Sequence, residues 1–152
     1  MLEFDEFGFL KPYDVIKISK EELSNNFVWN QKRTSLYQEF LHFLGEISKL
    51  QLKDTYFWIN GSFVTKKEDP NDIDIVVFIG AEQNEKFQKE LRNLRNEFKL
   101  LDLYFVRIYP ENHPLRYIYE MDKDEWIFQF SFTRKNIKTG RRYPKGFLEL
   151  KP

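Results

Sequence analysis

Apolar residues recur along this chain with two spacings, which predict where helices and strands form. Amphipathic helices are predicted over residues 31–50 and 82–99, because their apolar side chains are three or four positions apart. Strands are predicted over residues 55–59, 73–79 and 101–106, where apolar and aromatic residues dominate or alternate. A helix followed by strand, strand, helix and strand predicts an α/β (α+β) fold, with a mixed sheet flanked by helices.

Shorter signals precede this core. Residues 15–18 are predicted to be extended. Ser19 and Glu22 have the spacing of a capping box, in which a side chain at each position binds the backbone at the other, so a short helix is predicted to run to about Asn26.

The last third of the chain carries weaker signals. A loop is predicted over residues 110–114, a short helix over residues 115–121, and strands over residues 126–132 and 145–150. We therefore interpret residues 1–152 as one domain, with a core over residues 31–107 and a C-terminal extension over residues 108–152.

The amino-acid composition indicates a cellular compartment and excludes some kinds of site. The 152 residues are 41% hydrophobic and 32% charged, which is typical of a globular domain, and basic and acidic residues balance at 24 each. This balance does not indicate nucleic-acid or membrane binding by the chain as a whole. Because there are no cysteines, disulfides and cysteine-based metal sites are excluded, and the cytoplasm is the expected compartment. We expect neither a signal peptide nor a membrane span, since the first residues lack a basic and an apolar region and no apolar run is long enough.

A Gly-Ser pair and an Asp-x-Asp pattern flank one polar loop. Gly61 and Ser62 follow the first core strand, and Asp72 and Asp74 enter the second. Side chains alternate faces along a strand, so the two carboxylates project together and repel each other unless a cation or a shared proton lies between them. Gly61 permits close backbone approach, and Ser62 offers a hydroxyl and an amide donor to phosphate oxygens. The combination indicates a metal-assisted phosphoryl or nucleotidyl transfer site.

Asp102 is the third candidate carboxylate. It is the second residue of an otherwise apolar strand, where most positions are buried, so its charge needs a reason. The competing interpretation is that Asp102, like Asp72 and Asp74, is only solvated at a strand end, and that the Gly-Ser pair is only a turn. We favour the site because the features occur together.

One stretch of the chain resembles the signature of the nucleotidyltransferase superfamily. It consists of Gly61-Ser62, nine further residues, and then Asp72-Ile73-Asp74 before an apolar run. It is most similar to the small bacterial minimal nucleotidyltransferases and an uncharacterised bacterial family allied to them. The resemblance is specific over residues 56–107. In that superfamily a third carboxylate lies on the strand beside Asp-x-Asp, which is the position of Asp102. One departure is that residues 63–65 lack the arginine that many minimal members carry there.

The resemblance implies a metal-dependent enzyme that moves a nucleoside monophosphate from a nucleoside triphosphate to a hydroxyl on a protein or an RNA. Asp72, Asp74 and Asp102 would be catalytic and hold Mg²⁺ (or Mn²⁺), and Gly61 and Ser62 would bind the β- and γ-phosphates. Small members often belong to toxin–antitoxin or phage-defence pairs, so the resemblance also implies a partner protein.

Several cations are candidates for the same phosphates. Lys66 and Lys67 lie in the polar loop, and residues 134–145 carry six cations in a predicted basic hairpin or loop. Arg141 and Arg142 of that segment are candidates for binding a triphosphate or an acidic polymer, although a solvated turn is the competing interpretation.

Two other functions are compatible with the same residues. One is a non-catalytic nucleotide-sensing or protein-interaction module, which three mutually repelling carboxylates argue against. The other is a metal-dependent phosphodiester hydrolase. His42 and His113 are expected at the surface and not as ligands.

Overall fold

A five-stranded mixed sheet organises residues 2–152, the part of the chain that the computed structural model describes. The strands are β1 (Glu3–Phe4), β2 (Leu10–Lys11), β3 (Val15–Ile18), β4 (Tyr56–Asn60), β5 (Ile73–Gly80), β6 (Leu101–Ile108) and β7 (Phe147–Leu150). The helices are α1 (Lys20–Phe27), α2 (Gln31–Ser48), α3 (Ala81–Lys86), α4 (Gln88–Glu97) and α5 (Arg116–Phe130), and a 3₁₀ turn spans Ser62–Val64.

The strand order in the main sheet is β3-β7-β4-β5-β6. Neighbours are parallel at the two outer pairs, β3 with β7 and β5 with β6, whereas β4 is antiparallel to both β7 and β5. This arrangement confirms the predicted α+β class with a mixed sheet. β1 and β2 form a separate antiparallel hairpin that the sequence pattern did not predict.

Helices cover both faces of the sheet because β5 is apolar on both sides. Ile75 and Val77 of β5 pack in the core cluster that contains Phe40 and Phe43 of α2. Phe78 of β5 belongs to a second cluster on the opposite face, with aromatic side chains of α5. Burial on two faces explains the near-continuous apolar run of this strand.

The beginnings of α1 and α2 follow from capping residues. Ser19 and Glu22 form the predicted capping box, since the Ser19 side chain accepts from the Glu22 N–H and the Glu22 carboxylate accepts from the Ser19 N–H. Asn30 caps α2 by accepting from the N–H of Arg33.

The single helix predicted over residues 82–99 is instead two helices, α3 and α4. Phe87 separates them, because its ψ of 21° leaves helical geometry while its N–H still donates to the carbonyl of Gln83. Phe87 still packs against the same core cluster as Leu91 and Leu94. The spacing of these three residues is helical, so the apolar pattern gives no sign of the break.

The strand predicted over residues 126–132 is wrong, because residues 126–130 complete α5. The predicted short helix over residues 115–121 is only its beginning. The spacing is helical for Tyr119, Ile127 and Phe130, which pack on one apolar cluster. Trp126 and Phe130 are one helical turn apart, and their ring centres are 5.3 Å from each other. The last predicted strand is confirmed as β7, although it begins at Phe147.

Both histidines are exposed, as predicted. Within residues 2–152, no helix combines the length and the apolar character needed to cross a membrane.

Candidate functional site

Three adjacent strands each place one polar side chain in a row across the sheet. Asn60 of β4 is opposite Asp74 of β5, and Asp74 is opposite Asp102 of β6. Asp72 lies two residues before Asp74, on the same face, as the alternation along an extended chain requires. One carboxylate oxygen from each of Asp72, Asp74 and Asp102 lies within 4.8 Å of the others. The predicted grouping of the three carboxylates is therefore confirmed, while their role as metal ligands stays a prediction.

The pattern of the strands holds this group in place. Ile73 and Ile75 flank Asp74 and are fully buried on the opposite face of the sheet, and Leu101 and Leu103 flank Asp102 in the same way. A shift of either strand by one residue would expose those apolar side chains and bury the carboxylates in the core, so the register is strongly specified.

Burial and mutual repulsion perturb the carboxylates. The pKa of Asp74 is raised to about 6, first by burial and then by the negative charges of Asp72 and Asp102. The pKa of Asp72 is also raised, first by burial and then by the charge of Asp102. A cation bound between the carboxylates would lower both pKa values again.

The Gly-Ser turn lies directly beside the carboxylates. Gly61 has a φ of +87°, a conformation that residues with a side chain rarely adopt. A Cβ atom there would lie 2.5 Å from the Oδ2 atom of Asp74. Glycine is therefore required both for the turn and for the close approach of β4 to Asp74.

The loop after the turn is held from behind by Arg33 of α2. Its guanidinium is fully buried and donates hydrogen bonds of 2.5–3.4 Å to five backbone carbonyls, those of Phe27, Ser62, Phe63, Thr65 and Lys67. Its carbon Cζ lies 3.7 Å from the centre of the Trp29 ring. Burial lowers the pKa of Arg33 to about 10, so the group stays charged at neutral pH. Arg33 was not predicted as a site residue, because its only signal in the sequence is a charge at a position where α2 faces the core.

A cleft of about 860 Å³ opens over Asp72, Asp74 and the turn, whereas Asp102 is not among the residues that line it. Asp72, Asp74, Asn60, Gly61 and Ser62 line it on the sheet side. Aromatic side chains line much of the rest, and they come from the β1–β2 hairpin, β6, α5 and the segment after α5: Phe7, Phe9, Tyr104, Trp126, Phe130 and Phe132. The aromatic wall was not predicted, because its members are distant in sequence.

The cations in the cleft differ in part from those predicted. Arg134 and Lys145 line it, whereas Arg141 and Arg142 are exposed and lie outside its lining. The predicted basic segment therefore reaches the cleft through its first and last members. Lys145 is only 6% exposed, and burial lowers its pKa to about 8 although the negative charge of Asp74 opposes this shift.

Lys66 and Lys67 also line the cleft, as predicted. The Nζ atom of Lys66, however, lies 4.3 Å from the centre of the Phe4 ring and 5.2 Å from that of Trp29. This ammonium is engaged by aromatic faces, which makes it a weaker phosphate candidate than Arg134.

The family model whose description reads "Family of unknown function (DUF6932)" matches residues 2–151, so the chain belongs to that family. Comparison with curated proteins gives no match, and comparison with solved structures gives none. The chemistry of the cleft is therefore the basis for assigning a function.

Proposed function

We propose that this member of the family is a metal-dependent nucleotidyltransferase, which transfers a nucleoside monophosphate from a nucleoside triphosphate to a hydroxyl on a protein or an RNA. The observation that carries the proposal is the group of Asp72, Asp74 and Asp102 beside the Gly61-Ser62 turn. An acidic group and a phosphate-binding turn in one cleft are what in-line transfer from a triphosphate needs.

The donor set fits a small divalent cation. Carboxylate oxygens are the ligands that Mg²⁺ and Mn²⁺ prefer, and those of Asp72, Asp74 and Asp102 lie within 4.8 Å of one another. When bound, the metal would neutralise the triphosphate and lower the pKa of the attacking hydroxyl.

The phosphate side uses the turn and two cations. Gly61 and Ser62 would bind phosphate oxygens through the backbone and the Ser62 hydroxyl, and Arg134 and Lys145 would balance the charge of the leaving pyrophosphate. In the reaction the acceptor oxygen forms a bond to the α-phosphorus while the bond to the bridging oxygen of pyrophosphate breaks. Asp102 would complete the metal site that lowers the pKa of the acceptor hydroxyl, and the proton that the hydroxyl loses would pass to one of the three carboxylates.

Incubation of the purified protein with each α-³²P-labelled nucleoside triphosphate and Mg²⁺ or Mn²⁺ tests the proposal. Total RNA and a total protein extract would serve in parallel as acceptors. We expect label on one acceptor, none with Asp74→Asn, and the full amount with Asp122→Asn, an exposed aspartate of α5.

The same experiment separates the competing functions. Release of labelled nucleoside monophosphate without an acceptor product would indicate a hydrolase. Nucleotide binding with no metal-dependent chemistry would indicate a sensing or interaction module. The expected toxin–antitoxin or phage-defence pairing stays a prediction until an acceptor is found.

A further inference from the structure

Asn60 carries an unpartnered polar atom in the cleft. It is the last residue of β4, only 5% exposed, and its Oδ1 atom has no hydrogen-bond partner among the described residues. A buried polar atom without a partner is rare in native proteins, because burial takes away its hydrogen bonds to water. The Oδ1 atom is therefore free to accept a hydrogen bond from a ligand or to coordinate a cation.

The strand register directs Asn60 toward the metal site. Asn60 is directly opposite Asp74 in the antiparallel pair β4–β5. Side chains that are directly opposite point to the same face, with Cβ atoms about 4.5–5.5 Å apart. Asp74 is in turn opposite Asp102, so the amide extends the row of carboxylates by one strand.

The amide also lacks the contact that a purely structural role would give it. The NH₂ group of an asparagine can donate to a neighbouring carboxylate, whereas its Oδ1 atom can only accept. The side-chain hydrogen bond that affects Asp74 comes from Asp102, and the Oδ1 atom of Asn60 has no partner among the described residues. A side chain that stays unbonded next to an acceptor is set up for a different partner.

We propose that Asn60 is a fourth oxygen ligand of the metal site, with Oδ1 binding the same divalent cation as Asp74. Hard divalent cations accept amide oxygens together with carboxylates. A neutral ligand completes the coordination without adding a fourth negative charge to a group whose members already repel. The inference rests on the metal site of the proposed function and extends its ligand set to β4.

Isothermal titration calorimetry with Mn²⁺ alone tests the inference without any nucleotide. We expect Asn60→Leu, which keeps the volume and removes the oxygen, to weaken Mn²⁺ binding by roughly tenfold or more. Asn60→Asp keeps an oxygen at the same position and should bind Mn²⁺ at least as tightly as the wild type. Asn60→Ala removes the oxygen in a smaller side chain and serves if the leucine variant does not fold.

Thr55→Val is the matched control. Thr55 directly precedes β4, and its Oγ1 atom is also buried without a partner among the described residues, but it does not line the cleft. Asn60→Leu and Thr55→Val should both raise the melting temperature without metal, because each removes an unsatisfied buried atom. Added Mn²⁺ should raise the melting temperature further for Thr55→Val and much less for Asn60→Leu.

The outcomes separate this inference from the proposed function. If the wild type does not bind Mn²⁺, both fall. If the wild type and Asn60→Leu bind Mn²⁺ equally, the fourth ligand is overturned and the three-carboxylate site stands.

Discussion

Arg33 and the three carboxylates both lie beside the Gly-Ser loop, and they differ in how many hydrogen bonds and opposite charges the protein supplies to them. The guanidinium of Arg33 is fully buried and donates to five backbone carbonyls. The carboxylates of Asp72, Asp74 and Asp102 crowd together instead, and none forms a salt bridge within residues 2–152. The charge of Arg33 is compensated by direct hydrogen bonds, whereas the charges of Lys145, Arg134 and Lys67 offset those of Asp74 and Asp72 only in part.

This is the difference expected between a charge with a structural role and charges that bind a ligand. Burying a charge is costly unless hydrogen bonds or opposite charges replace its hydration. Arg33 recovers that cost within the fold, so its role is to position the loop that carries Ser62. For the carboxylates, part of the free-energy cost of burial and repulsion is not offset within the fold, which is typical of a site that binds a ligand. The following three predictions test this contrast, from the largest expected effect to the smallest.

Arg33→Met should destabilise the protein by about 3–5 kcal/mol, because several buried carbonyls would lose their donor at once. Denaturation by urea, followed by circular dichroism, measures this change. Arg92→Met is the control, since Arg92 is an exposed arginine of α4, and it should change stability by less than about 0.5 kcal/mol. Equal effects of the two variants would contradict the structural role of Arg33.

The stability of the metal-free protein should fall as the pH rises from about 4 to about 7, through the titration of Asp74. The pKa of Asp74 is about 6 in the folded protein against an ordinary value of 3.8, so the folded state binds a proton that the unfolded state has released. This contribution is present at low pH and is lost as the pH passes 6, and it amounts to on the order of 3 kcal/mol.

Asp74→Asn should remove this dependence and be more stable than the wild type at pH 7. Urea denaturation of both proteins across the pH range gives the difference directly, which cancels the titration of distant groups. Asp122→Asn should leave the dependence unchanged. A stability difference between wild type and Asp74→Asn that stays constant with pH would show that Asp74 carries no strained charge.

Arg134→Ala should weaken binding of a nucleoside triphosphate by about three- to tenfold at low salt and by less at high salt, because Arg134 is exposed and salt screens exposed charges. The double variant Arg141→Ala/Arg142→Ala should bind as the wild type does, since both residues lie outside the cleft lining. Calorimetric titration at two salt concentrations measures both. Weaker binding by the double variant alone would return the phosphate contacts to the outer part of the basic segment.

The part of the site that lies close together in sequence could be predicted. Alternation along β5 determines that Asp72 and Asp74 share a face, and the crossover from β5 to β6 brings Asp102 beside them. The Gly61-Ser62 turn is similarly local. Periodicity and motif spacing were sufficient for Asp72, Asp74 and the turn, whereas the place of Asp102 beside them was implied by the resemblance to the nucleotidyltransferases.

The parts that depend on distant contacts could not be predicted. The run of aromatic residues from Trp126 fits a strand or a helix equally well, and only packing against the sheet decides for α5. Arg33 contacts the loop, and Lys145 lines the cleft, only because the fold brings distant parts of the chain together. Asn60 looks like an ordinary strand end until the register places it opposite Asp74.

The position of β7 has a consequence for how a nascent chain acquires the cleft. β7 lies between β3 and β4, so β4 has one unpaired edge until residues 147–150 are available. The carboxylates and the Gly-Ser turn leave the ribosome well before that strand, and Lys145 enters the cleft with it. Closing the sheet and bringing the buried ammonium beside Asp74 are therefore one late event. A chain that stops before residue 145 exposes a strand edge prone to aggregation, together with an acidic cleft that lacks Lys145.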